Sequence, residues 1–139
     1  MFVLDTNHAS ELIFRSTAGL RLLRRLDQSG GEAAVTAVTV EESLRGWLAE
    51  IRRQAEPRRQ IPAYQRLVAQ VEVFASWLVL PWDDDAANHF DGLKFLRQKV
   101  GTQDLKIACI CLVHESTLLT RNVADFTPVP GLRVENWLD

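Results

Sequence analysis

The sequence predicts an α/β fold: a small, mainly parallel β-sheet flanked by helices, with a helical hairpin beside it. Three observations carry that expectation. Short apolar runs alternate along the chain with longer stretches of helical periodicity, the pattern that builds parallel sheets. The first run, Met1-Phe2-Val3-Leu4, is apolar at every position, as a central strand buried on both faces must be. The segment from Ile107 to Val113 is also apolar all round, so its helix belongs against the core.

The elements follow in order. Asp5-Thr6-Asn7 ends the first strand abruptly, and a helix from His8 to Phe14 comes next. Thr6 or Asn7 can cap that helix, which leaves Asp5 available at the carboxyl end of the strand. A second helix runs from Ser16 to Ser29, with Leu20, Leu22, Leu23 and Leu26 on one broad face and Ser29-Gly30-Gly31 as its stop. Ala33 to Thr36 is the next strand. Thr39 and Glu42 then form a capping box, T-x-x-E, at the head of a helix reaching Ile51. The alternative is that Glu42 points across the strand ends into the same crevice as Asp5.

Arg52 to Arg59 is a charged break, and helical periodicity resumes from Ile61 to Trp77; these two helices make the hairpin. Leu78-Val79-Leu80 is a short strand. Pro81 to Asp85 opens a helix from His89 to Gln98, its three aspartates suited to the positive end of the helix dipole. Thr102 caps the apolar helix that begins with Gln103, Asp104 and Leu105. Thr117 to Thr120 is a buried strand, Leu132 to Glu135 an edge strand, and Trp137 and Leu138 pack back onto the body.

Composition narrows the class. With 139 residues, 47% of them hydrophobic, residues 1–139 suit one domain with a real core. The balance of 16 basic against 18 acidic residues excludes a strongly basic nucleic-acid binder. Four acids engaged by a cation would leave the bases in excess, however, and present a mildly positive surface to phosphates. Cys109 and Cys111 lie two apart on one helix and point to nearly opposite faces, so they cannot pair there. Core packing in a reducing compartment accounts for them better than a zinc site does. With no long apolar run and no leader-like start, the expected location is cytoplasmic, away from any membrane. His8, His89 and His114 form no set; His8 reads as a helix-surface residue within reach of a substrate.

Asp5, Glu42, Asp104 and Asp125 each have a local role open to them as helix caps. Jointly they fall just beyond strands or in first helical turns, which in a parallel sheet is one edge. Ionised carboxylates gathered there repel, so they must take up protons or hold cations. Mg²⁺ with its hard oxygen ligands is the natural partner, and Mn²⁺ is a close substitute. Such a site suits phosphodiester hydrolysis.

At these residues the sequence resembles the PIN-domain ribonucleases, in particular the VapC-type toxins of toxin–antitoxin pairs. The matching segments are LDTN at the start, TVEESLRG around Glu42, GTQDLKIA around Asp104, and TRNVADF followed by PGLRVENW. LDTN alone is weak; the four in order, across essentially the whole chain, are specific. The resemblance implies a PIN-like three-layer fold, Mg²⁺- or Mn²⁺-dependent endoribonuclease activity, and neutralisation by a cognate antitoxin. By position it makes Asp5, Glu42, Asp104 and Asp125 the catalytic and metal-binding acids. Thr6 lies in the motif turn, and Thr120 and Asn122 match the polar residues before the fourth acid, so these three are expected at the substrate. Glu41 precedes Glu42, and Ser43 stands where the family usually has Leu; counting back from Gly46 favours Glu42. Expected partners are the RNA substrate, the antitoxin and a second copy of the chain in a homodimer.

Rival classes fit less well. A haloacid-dehalogenase pattern needs a second Asp where Asn7 stands, and a receiver domain needs an acidic pair near the first strand that is missing here. A non-catalytic PIN-like module that binds RNA or protein is the stronger rival, but it would have no reason to keep four mutually repelling acids. For the antitoxin, a groove between the helices Ser16–Ser29 and Thr39–Ile51 is expected, lined by Leu20, Leu23, Leu44, Trp47, Leu48 and Ile51.

Overall fold

In the computed structural model, which describes residues 1–139, the sheet has five strands and every pairing is parallel. The chain runs β1 (Phe2–Leu4), α1 (Thr6–Ile13), α2 (Thr17–Ser29), β2 (Ala33–Thr36), α3 (Ala37–Arg53), α4 (Ile61–Ser76) and β3 (Leu78–Leu80). It continues through α5 (Asp84–Leu93), α6 (Arg97–Val100), α7 (Thr102–Val113), β4 (Thr117–Leu119), α8 (Val123–Phe126) and β5 (Arg133–Glu135). Short 3₁₀ turns at Pro57–Gln60 and Lys94–Leu96 join α3 to α4 and α5 to α6.

Strand order is β3-β2-β1-β4-β5, with β1 in the centre. Phe2 stands opposite Ala33 on one side and Thr117 on the other. The chain winds outward from β1 through β2 to β3, then crosses back to β4 on the other flank of β1. Winding therefore reverses between β1 and β4, and beyond the carboxyl ends at such a reversal is where open parallel sheets bind their ligands.

Strand residues alternate between two cores. Val3, Ala34 and Leu118 face one layer, shared with α5 and α7. Leu4, Val35 and Leu119 face the other, with Leu22 and Leu26 of α2, Phe74 of α4 and the C-terminal Trp137 and Leu138. Helices cover both faces of the inner strands, which is why β1 has no polar side, whereas the edge strand β5 exposes Arg133 and Glu135. The all-apolar α7 fits this: Leu105, Ile107, Ala108, Cys109, Ile110 and Cys111 are all buried. Both cysteines are free, and burial pushes their thiols up to about 11 and about 12, so they are inert packing groups.

The starts of α5 and α7 differ from expectation. The helix expected over His89–Gln98 begins at Asp84, because the Asp83 carboxylate accepts from the Ala86 N–H at 3.0 Å, and it ends at Leu93. Gly101, not Thr102, precedes α7; its φ of 93° suits glycine and makes Thr102 the first helical residue.

Candidate active site

Topology brings the four acids to one edge. Asp5 directly follows β1, Glu42 lies in α3 beyond the neighbouring β2, and Asp125 lies in α8 beyond β4 on the other side. Asp104 gets there from the opposite direction. Helix α7 must run back to the amino end of β4, so its own first turn, with Asp104, opens at the carboxyl edge.

Asp5 proves to be the cap of α1, a role open in the sequence to Asp5, Thr6 or Asn7. Its Oδ1 accepts from the His8 N–H at 2.9 Å and sits 3.2 Å from His8 Nδ1. His8 is fully buried, not on the helix surface. Its other nitrogen, Nε2, accepts from the Trp137 N–H at 3.2 Å. Accepting there requires the ring proton to be on Nδ1, which therefore donates to Asp5. Both hydrogen bonds fall on Oδ1, and Oδ2 has no hydrogen bond. The i to i+3 spacing on a first turn was the sequence signal for this contact; nothing in the sequence pointed to Trp137.

The capping box at Glu42 is not formed. Helix α3 starts earlier, at Ala37, because Thr36 caps it by accepting from the Thr39 N–H at 3.1 Å. Glu42 thus falls in the second turn, where no backbone N–H is free to receive it. Its Oε1 is buried without any hydrogen-bond partner. Burial raises its carboxyl above the usual 4.5, and Asp104, Glu41 and Asp5 add repulsion, with Arg45 opposing. Glu41 points elsewhere: it is exposed, pairs with Arg45, and accepts from Gln103 Nε2 at 3.0 Å.

Asp104 is half-buried, and burial again raises its carboxyl, followed by the charges of Asp125 and Asp5. The acids therefore sense one another: Glu42 with Asp104 and Asp5, Asp104 with Asp125 and Asp5. No three His, Cys, Asp or Glu side chains close into a ready-made metal cage. Mg²⁺ needs none, since it takes one or two carboxylates and keeps several waters. An all-oxygen donor set that includes one partnerless buried oxygen fits such an ion.

The other expected residues divide. Thr6 is half-buried at the start of α1, and Asn122 is exposed beside Asp125. Thr120 is fully buried, and its hydroxyl accepts from the Asn122 N–H at 3.1 Å, so it shapes the turn rather than lining the crevice. The largest cavity, about 550 Å³ between Cys111, Ser116 and Arg133, opens at the amino end of the sheet, away from the acids.

A PIN domain family model matches residues 2–129. The chain belongs to the PIN-domain family. Within that family its relatives are of the VapC type. It is 31% identical to Ribonuclease VapC2 of Haemophilus influenzae, over 99% of this chain and 98% of the relative. It is 32% identical to the tRNA(fMet)-specific endonuclease VapC of Shigella flexneri, over 98% and 97% of the two chains. Among solved structures, VapBC2 from Rickettsia felis bound to a promoter DNA fragment superposes with a TM-score of 0.73 at 22% identity, covering 98% of both chains. VapBC-1 from nontypeable Haemophilus influenzae gives 0.70 at 22% identity, over 99% of this chain and 98% of that one. The five-stranded parallel sheet between helical layers is thus the PIN fold.

The apolar groove of this PIN domain lies elsewhere than expected. Helix α2 packs on α1 and α3 packs on α4, so α2 and α3 do not enclose a shared groove. Ile51 is buried as core. Leu20 and Leu23 instead line a cavity of about 280 Å³ with Leu12 and Ile13 of α1 and Val73 and Trp77 at the end of α4. Trp47 faces a separate depression against α4.

Proposed function

We propose that this chain is a divalent-metal-dependent endoribonuclease, the toxin of a toxin–antitoxin pair, which hydrolyses RNA phosphodiester bonds with Asp5, Glu42, Asp104 and Asp125. The observation that carries this reading is the gathering of the four acids beyond the strand ends at the winding reversal, together with the partnerless buried oxygen of Glu42. A purely structural set of caps would not place Glu42 where it caps nothing. When bound, Mg²⁺ or Mn²⁺ supplies acidification of water and neutralisation of phosphate charge.

The chain's own residues do the rest. Asp5 presents its free Oδ2, Glu42 its free Oε1, and Asp104 and Asp125 add their carboxylates from the first turns of α7 and α8. Thr6 and Asn122 offer polar contacts to the RNA backbone, while Thr120 holds the Asn122 turn in shape. The relatives' names support transfer RNA as the first substrate to try. An antitoxin segment in the Leu12–Leu20–Leu23–Trp77 groove and a homodimer complete the reading, in a chain none of whose helices is long and apolar enough to cross a membrane.

The test is cleavage of a transfer-RNA pool by the purified protein with Mn²⁺ or Mg²⁺, mapped by end sequencing. Cuts at defined sites that vanish in EDTA and in Asp104→Asn support the proposal. Cleavage unaffected by both would defeat it.

A further inference from the structure

Resting on the metal-nuclease reading, we propose that His8 is a positioning residue: its ring, set by the C-terminal Trp137 N–H, fixes Asp5 so that one carboxylate oxygen stays free for the cation. The geometry gives each atom one task. Trp137 N–H occupies Nε2 at 3.2 Å, which commits the ring proton to Nδ1. Nδ1–H and the His8 backbone N–H then both fall on Oδ1 of Asp5, at 3.2 and 2.9 Å. Two donors on one oxygen saturate it and stop the carboxylate from turning, so Oδ2 alone is offered outward. Partners of this kind set both the orientation and the basicity of a metal-binding group.

The anchor at the far end is itself held. Trp137 packs against Phe2 with ring centroids 4.5 Å apart, and the Arg25 guanidinium lies 4.1 Å over its ring. Arg21 donates to the Leu138 carbonyl at 3.2 Å, and Arg121 lies 3.4 Å from the Asp139 carboxylate. A surface histidine would need none of this. The tail is thus wired through one imidazole to the first acid of the site, 129 residues from Trp137 to His8 along the chain.

Two substitutions separate the halves of the device. His8→Asn can still place an amide N–H near Oδ1 but cannot reach Trp137. His8→Gln can accept from Trp137 N–H but brings no donor to Oδ1. Mn²⁺ binding to the RNA-free protein, followed by electron paramagnetic resonance, should weaken about tenfold or more in His8→Gln and stay within about threefold in His8→Asn. In RNA cleavage at fixed Mn²⁺, His8→Gln should lower kcat and leave KM for RNA unchanged. A folded His8→Gln that binds Mn²⁺ as wild type does overturns the inference and leaves the metal reading standing. Wild type that binds no Mn²⁺ overturns the metal reading itself. If His8→Gln does not fold, long-range ¹H–¹⁵N spectra of wild-type His8 decide: a proton on Nδ1 supports the wiring, and a proton on Nε2 overturns it.

Discussion

Asp5 and Glu42 belong to the same acidic edge and are held in opposite ways. Asp5 is nearly enclosed but satisfied, its Oδ1 taking the backbone and ring donors of His8. Glu42 is less enclosed and unsatisfied, with a buried oxygen that meets no donor and three like charges around it. Hydrogen bonds preorganise the first; the second is left with a vacancy in its bonding that only a proton or a cation can fill. On the proposed metal-nuclease reading, a site assembled this way is rigid where it would aim and unstable where it would bind.

The strongest way to break the arrangement is to remove a charge. Asp104→Asn keeps shape and hydrogen-bonding capacity, so cleavage should fall more than about hundredfold, roughly 2.7 kcal/mol of barrier, while the metal-free melting temperature holds or rises. Asp5→Asn should lose as much activity but gain no stability, because its partners already satisfy it. A melting temperature well below wild type in Asp104→Asn would return that residue to a purely structural role.

Preorganisation can be attacked from behind. A Cβ at Gly19 would lie 1.9 Å from the Glu11 carbonyl oxygen, so Gly19→Ala must push α2 off α1, the helix that Asp5 caps. Overpacking of this kind costs about 1–3 kcal/mol. Denaturant unfolding should show the loss, with weakened Mn²⁺ binding alongside it.

Glu42→Gln should lower cleavage about tenfold or more, near 1.4 kcal/mol, and raise metal-free stability by removing the repelled charge. Glu41→Gln is the contrast. It breaks an exposed pair with Arg45, worth about 0–1 kcal/mol, and should leave cleavage close to wild type. A larger activity loss at Glu41 than at Glu42 would mean that the inward residue had been misassigned.

Acidity sharpens the comparison most gently. Glu42 and Asp104 have carboxyls raised in the folded protein, so the folded state holds protons that the unfolded chain has released. Metal-free stability should therefore rise as pH falls from neutral towards the usual carboxylate range, and fall again as pH climbs through the raised values. Saturating Mg²⁺ should flatten or reverse that slope, since it binds only the ionised pair. Melting curves across pH with and without Mg²⁺ read both, and identical slopes would count against cation binding at these acids.

Much of this was legible in the chain because local chemistry and global fold agree. Met1 to Leu4 had to be a central strand, since no polar face was available; α7 had to be internal for the same reason. The acids were visible as a set through their places beside those elements. Less visible were contacts that bridge elements or compete over a single backbone donor. Thr36 and Thr39 are both good cap residues, and the sequence does not say which one begins α3. The structure chooses Thr36 because β2 ends there, and that one choice takes Glu42 out of a capping box and leaves its carboxylate near those of Asp104 and Asp5. The groove was misplaced for a related reason: amphipathic faces declare that a helix must pack, not which helix it packs on.

Residue order alone therefore determined the alternation of strand and helix, the two-sided burial of the sheet and the presence of an acidic edge, because periodicity and apolar runs act over a few neighbouring residues. Only the tertiary structure decided which oxygens of Asp5 and Glu42 are free. That depends on donors such as the Trp137 N–H, brought to His8 from the far end of the chain by packing against Phe2 and Arg25.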